Sequence, residues 1–215
     1  MNKNTAFVSS EEETVYIGNE NTVREISTSG KTLRTVRIVN RRMTETSFAP
    51  SGGSEEFIIS YKKGIFGKGK KWSSECKLKS TELKEDGAVK KAVVCVEPYR
   101  IHSSDVFVQV IFEARDSDPV IRKYVTVSSS NPGNLFIDYI DLEYLALGDD
   151  VKMRFSRPDM EKAYLSEFQT ALGQPIYING MYFGCEFPTT DNNIEDETAH
   201  IRYYAGKNLH ELSKG

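Results

Sequence analysis

The sequence predicts an all-β protein, a large antiparallel β-sandwich with little helix, and three observations carry that reading. From Thr14 to Leu147, apolar and aromatic residues alternate with polar ones in short runs, the period-two pattern of strands with one buried face. Turn formers divide these runs at Gly18-Asn19-Glu20-Asn21, Ser29-Gly30, Lys84-Glu85-Asp86-Gly87, Asp116-Ser117-Asp118-Pro119 and Asn131-Pro132-Gly133-Asn134, which suits hairpins and not crossover helices. Helical spacing shows only over 159–172, where Tyr164, Leu165, Phe168 and Leu172 precede Gly173 as a C-cap. That segment reads as a short surface helix or a loop.

Taken in order, residues 1–13 read as a flexible lead-in. Strands follow at Thr14–Ile17, Thr22–Thr28 and Lys31–Asn40, the last with Leu33, Thr35, Arg37 and Val39 facing one way and Val36 and Ile38 the other. Thr44–Ser54 is a polar, Gly- and Pro-containing loop, and Phe57–Tyr61 a short buried strand. Lys62–Lys71 reads as a surface loop; its Gly64, Gly67 and Gly69 lack the spacing of a phosphate-binding loop. Trp72–Leu83 and Val89–Pro98 form a hairpin. Asp105–Arg115 is the clearest strand, with Val106, Val108, Val110, Phe112 and Ala114 on one face. After Val120–Ser128, the run Leu135–Leu147 places Phe136, Asp138, Ile140, Leu142 and Tyr144 on one face, where Asp138 needs a partner or an edge.

The densest aromatic run is 173–187, Gly-Gln-Pro-Ile-Tyr-Ile-Asn-Gly-Met-Tyr-Phe-Gly-Cys-Glu-Phe. Pro175 and Pro188 fence it, and Gly180 breaks it into two short strands around a bend. It is expected as a central strand pair of the sandwich, with Phe183 and Phe187 buried between the sheets. The organisation is then one domain over 14–207, with 208–215 as a tail or the start of a linker.

Composition narrows the function classes. A net charge of −3, with short basic runs answered by acidic ones, argues against nucleic acid as a partner. No run has the length of a signal peptide core or a membrane span, so a soluble cytoplasmic protein is expected, with no membrane partner. Cys76, Cys95 and Cys185 are widely spaced and odd in number, hence expected as free thiols. His102, His200 and His210 stand at no metal-ligand spacing, so no metal or cofactor is expected. A Cys185–His200 thiol–imidazole pair lacks an orienting third group.

Carboxylates at Asp138, Asp141, Glu143, Glu186 and Asp191 could serve acid–base work on a glycoside, or simply cap turns and face water. Tyr177, Tyr182, Phe183, Phe187, Tyr203 and Tyr204 could form a sugar-stacking platform or fill the core, the phenylalanines favouring the core. The candidate carbohydrate contacts are Tyr177, Tyr182, Glu186, Asp191 and Tyr203; no catalytic residue is assigned.

Three segments carry a family resemblance: Leu33-Arg34-Thr35-Val36-Arg37-Ile38-Val39-Asn40 with Gly53-Ser54-Glu55-Glu56-Phe57; Asp118-Pro119-Val120-Ile121-Arg122-Lys123-Tyr124-Val125-Thr126-Val127; and Gly173–Pro188 with His200-Ile201-Arg202-Tyr203-Tyr204-Ala205-Gly206-Lys207. Their order resembles the N-terminal β-supersandwich of bacterial α-galactosidase-like glycoside hydrolases, related to family 36 in clan D. The resemblance implies a galactose-mutarotase-like fold and a non-catalytic module that packs beside a (β/α)8 barrel, encoded downstream or on a separate chain, and that contacts carbohydrate. The family's catalytic aspartates lie on that barrel, and this chain stops near Asn208-Leu209-His210-Glu211-Leu212, where it would begin. The His–Glu pair of mutarotases finds no matching context among the three histidines. The alternatives are a stand-alone carbohydrate-active enzyme, an epimerase or lyase, and a protein-interaction sandwich.

Overall fold

Alternating side chains form the strands of this protein, and where each strand sits follows from which face it buries. The computed structural model describes residues 5–42, 46–63, 67–148, 151, 153–154, 173–187, 189–195 and 197–212. The helical spacing over 159–172 lies outside the described residues. What is described is an all-β antiparallel sandwich.

Five strands open the chain: β1 (Phe7–Glu11), β2 (Thr14–Gly18), β3 (Thr22–Ser27), β4 (Arg34–Asn40) and β5 (Thr46–Phe48). They pair in sequence order as an antiparallel meander, the N-terminal sheet. The expected lead-in is thus corrected: residues 7–11 pair with β2 along their whole length, and Ala6 and Val8 are buried. In β4 the expected alternation is broken by a bulge opposite Glu25–Ile26. Leu33 and Thr35 share a buried face as grouped, but past the bulge Ile38 turns inward and Arg37 outward.

Next come β6 (Ile58–Lys63), close to the strand expected at Phe57–Tyr61, and β7 (Gly67–Trp72), where a loop is expected; the two pair as a hairpin. Glycine and lysine are poor strand formers, which hides β7 in the sequence. Gly69 has a packing reason: a Cβ there would stand 2.5 Å from the Tyr61 ring. Strands β8 (Leu78–Asp86), β9 (Val89–Val96), β10 (Tyr99–Ile101), β11 (Ser104–Arg115) and β12 (Ile121–Ser129) make the middle sheet, with β11 paired to β9, β10 and β12. The β11 face read from the sequence is correct, since Val106, Val108, Val110, Phe112 and Ala114 are all buried.

Strand β13 (Phe136–Ala146) crosses back to pair with β6. It carries two bulges, between Ile137 and Tyr139 and between Asp141 and Glu143, so the uniform face expected from Phe136 to Tyr144 does not exist. Asp138 is paired, 2.7 Å from Lys68 Nζ. Strands β14 (Met153–Arg154), β15 (Ile176–Ile178) and β16 (Met181–Phe183) form a small sheet of their own. This corrects the expected central strand pair: Phe183 is half-buried and Phe187 is exposed. Only three residues per strand pair there, too few to span the sandwich.

Finally β17 (Asp191–Glu195) and β18 (Thr198–Asn208) fold as a hairpin onto β13, completing the composite sheet β17-β18-β13-β6-β7. Asn208 ends β18, and a single turn α1 (Leu209–Leu212) buries Leu209. The residues expected as a tail therefore join the core as far as Leu212.

One face of the composite sheet is packed twice. Ile137, Ile140 and Ile59 meet Val94, Val110 and Phe112 of the middle sheet and Ile17 and Ile26 of the N-terminal sheet. Leu145, Ala199 and Ile201 meet Ile176 and Ile178 of the small sheet and Phe48 of the N-terminal sheet. All three cysteines are free.

Candidate functional site

The second face of the composite sheet carries the chemistry. Cross-strand register aligns three rows of side chains there. Asp191, Arg202, Asp141, Ile58 and Trp72 are successive partners across five strands. Beside them run Tyr204, Tyr139, Ser60 and Lys70 on one side, and Asn193, His200 and Tyr144 on the other. The second β13 bulge makes this possible, because it inserts Leu142 and brings Tyr144 to the face that holds Tyr139 and Asp141.

Contacts bear out the alignment. Arg202 binds Asp141 in a two-point fork, Nε–Oδ1 at 2.6 Å and a terminal nitrogen to Oδ2 at 3.0 Å. Its guanidinium lies 4.0 Å from the Tyr139 ring centre. Trp72 meets Tyr144 edge to face at 5.7 Å, and Tyr139 meets Tyr204 likewise at 5.9 Å. The Tyr204 hydroxyl donates to Asp191 at 3.5 Å, and His200 Nε2 stands 3.9 Å from the same carboxylate. Lys70 Nζ lies 5.6 Å from the Trp72 ring and 5.9 Å from Tyr139. Tyr204 is exposed, and Trp72 and Tyr144 are half-buried.

Charge on this face is held in fixed states. Burial would lower the Arg202 pKa, but the Asp141 hydrogen bond and charge raise it above its ordinary value. Burial, aided by the charge of Arg202, lowers the pKa of His200, so its imidazole is neutral at neutral pH. Two buried polar atoms of this face, Ser60 Oγ and His200 Nε2, have no hydrogen-bond partner.

A second charged group sits inside the sandwich, where the three large sheets meet. Arg24 of β3 binds Glu143 of β13 at 2.6 Å and Glu56 at 3.0 Å, and Lys123 of β12 reaches Glu56 at 2.7 Å and Glu143 at 3.0 Å. Two cations and two anions balance, with the Phe112 ring 4.9 Å from Arg24. Each charge has two partners of opposite sign, so the quartet is saturated and built for structure.

The expected contact residues divide. Asp191 lies on the second face. Tyr203 lies on the opposite side of β18, packed on the core and edge-on to Phe187 at 5.2 Å. Tyr177 and Tyr182 pair across the small sheet, Tyr182 exposed. Glu186 is exposed and 3.2 Å from Arg122 Nε. These five do not converge. Of the wider aromatic set, Tyr204 joins Asp191. Cys185 packs with the Ile201 cluster on the other side of the sheet from His200, so the two form no pair.

Sequence reasoning passes over Trp72, Lys70, Tyr139, Tyr144 and Arg202. Their one visible signal is the His-Ile-Arg-Tyr-Tyr alternation of β18, which places His200, Arg202 and Tyr204 on a common face. A surface depression elsewhere is lined by Val127, Ser128, Ser129, Pro132, Leu209 and Leu212, none of them charged. Among the described residues no group of His, Cys, Asp and Glu could hold a metal ion, and no helix is long and apolar enough to cross a membrane. No family model and no curated protein matches the sequence significantly.

Proposed function

We propose that this chain is a non-catalytic, carbohydrate-binding β-sandwich that takes a sugar on the second face of its composite sheet. The observation that carries the reading is the register-aligned strip of Trp72, Tyr144, Tyr139 and Tyr204 interleaved with Arg202, Asp141 and Asp191. Sugar rings pair apolar C–H faces with equatorial hydroxyls, and a sheet face with aromatic surface between fixed donors and acceptors matches both. Buried Asp141 holds the partly exposed Arg202 guanidinium already oriented, which spares a ligand the cost of ordering it.

The same arrangement supports binding over chemistry. Asp141 spends both oxygens on Arg202. The family resemblance supports the setting of such a domain: a module beside a catalytic barrel. A second reading, a stand-alone epimerase or lyase, draws on the neutral His200 near Asp191.

Calorimetric titration with a panel of galacto- and gluco-configured oligosaccharides tests the proposal. Saturable binding is expected, weakened about two- to tenfold by Trp72→Ala or Tyr204→Ala, the range for losing one stacked ring. Nitrophenyl galactosides are expected to stay intact in the same samples. Absence of binding across the panel contradicts the proposal, and turnover abolished by Asp191→Asn establishes the enzymatic reading instead.

A further inference from the structure

We infer that the sugar taken on this face is an acidic one, a saccharide carrying carboxylates, seated with its anionic groups toward β6 and β7. The inference rests on the sugar-binding reading and adds the ligand class. Charge is distributed unevenly along the composite sheet. At the β17 end the strip holds Asp191, with Glu195 further along the strand. At the other end β6 and β7 set Lys62, Lys68 and Lys70 along one edge, Lys62 and Lys68 as direct cross-strand partners. This concentration stands in a chain whose net charge is −3.

Two of those ammonium groups, Lys62 and Lys70, are in no ion pair among the described residues. Lys68 is paired, to Asp138. Lys62 Nζ lies 3.7 Å from the Phe136 ring centre, and Lys70 Nζ lies between Trp72 and Tyr139; neither has a carboxylate partner among the described residues. Both side chains are exposed, so each can meet a ligand without unfolding anything. In the cross-strand register Lys70 and Tyr139 flank Ser60, whose buried hydroxyl is unpaired. A carboxylate beside Lys70 thus meets an uncommitted cation, while the ring it hangs from rests on half-buried Trp72. A neutral sugar leaves Lys62 and Lys70 without an anion.

Isothermal titration of the full chain with trigalacturonate and with a neutral galactotriose of the same linkage tests this. Trigalacturonate is expected to bind at least about tenfold more tightly, one charge-assisted hydrogen bond's worth. The preference is expected to shrink with added salt and to vanish in Lys70→Gln, which keeps the wild-type denaturation midpoint. Lys79→Gln on exposed β8 is the control and leaves the preference intact. Equal binding of the two trisaccharides, or a preference unmoved by Lys70→Gln, overturns the acidic-sugar inference and leaves sugar binding standing. Binding of neither trisaccharide overturns this inference, and only a negative result on the wider neutral panel removes the sugar-binding reading with it.

Discussion

Four ionised side chains decide how the three large sheets meet. Arg24, Glu56, Lys123 and Glu143 are removed from water together, a loss that their mutual pairing must offset. Glu56 shows the balance: burial pushes its pKa up, but the charges of Lys123 and Arg24 hold it at about 2, below its ordinary 4.5. A depressed folded-state value means that the stabilisation is complete above pH 4.5 and drains away as pH falls from there toward 2. Glu56→Gln breaks the quartet and is expected to cost about 3–5 kcal/mol at neutral pH. Denaturation midpoints measured from pH 7 down to 2 should therefore fall more steeply below pH 4.5 for wild type than for the variant. Parallel curves contradict the role given to Glu56. In sequence these residues look like surface charges. Only Lys123 leaves a trace, standing among Ile121, Val125 and Val127 at the inward positions of β12.

At the scale of elements, legibility followed the regularity of the ladder. Strand β11 runs without a register shift, and its buried face can be read directly from Val106 to Ala114. Strand β13 cannot be read this way, because each bulge exchanges inward and outward positions beyond it. Two bulges send Glu143 to the ionic quartet and Tyr144 to the second face, and no residue type marks either bulge. Strand β7 is built from Gly67-Lys68-Gly69-Lys70-Lys71, a composition indistinguishable from a loop until its pairing with β6 is seen. The aromatic run at 173–187 misled in the other direction: its strand content was legible, its place on a small separate sheet was not. That difference has a measurable consequence. Phe48, fully buried, is expected to cost about 3–5 kcal/mol on truncation to alanine, whereas half-buried Phe183 should cost clearly less and exposed Phe187 about 1 kcal/mol or less. Chemical denaturation of the three variants ranks them, and a Phe187→Ala loss equal to that of Phe48→Ala contradicts the placement.

On the scale of the whole molecule, one side of the composite sheet is committed to the core and the other carries the strip proposed to take a sugar. The middle, N-terminal and small sheets all pack on the first side. That crowding fixes the strand register, and the register in turn aligns Trp72, Asp141 and Arg202 on the second. The sandwich class was visible in the sequence because hairpin turns and alternation are local. The second face was not, since it is assembled from five strands spread between Ile58 and Asn208. Trp72 offers a direct reporter, being the single tryptophan of the protein. The decisive measurement is acrylamide quenching of its fluorescence, with and without a saturating saccharide. A bound sugar stacked on this face should shield Trp72 and lower the quenching constant, with a saccharide dependence matching the calorimetric affinity. An unchanged quenching constant under a ligand that binds by calorimetry would place the sugar elsewhere and contradict the assignment of this face.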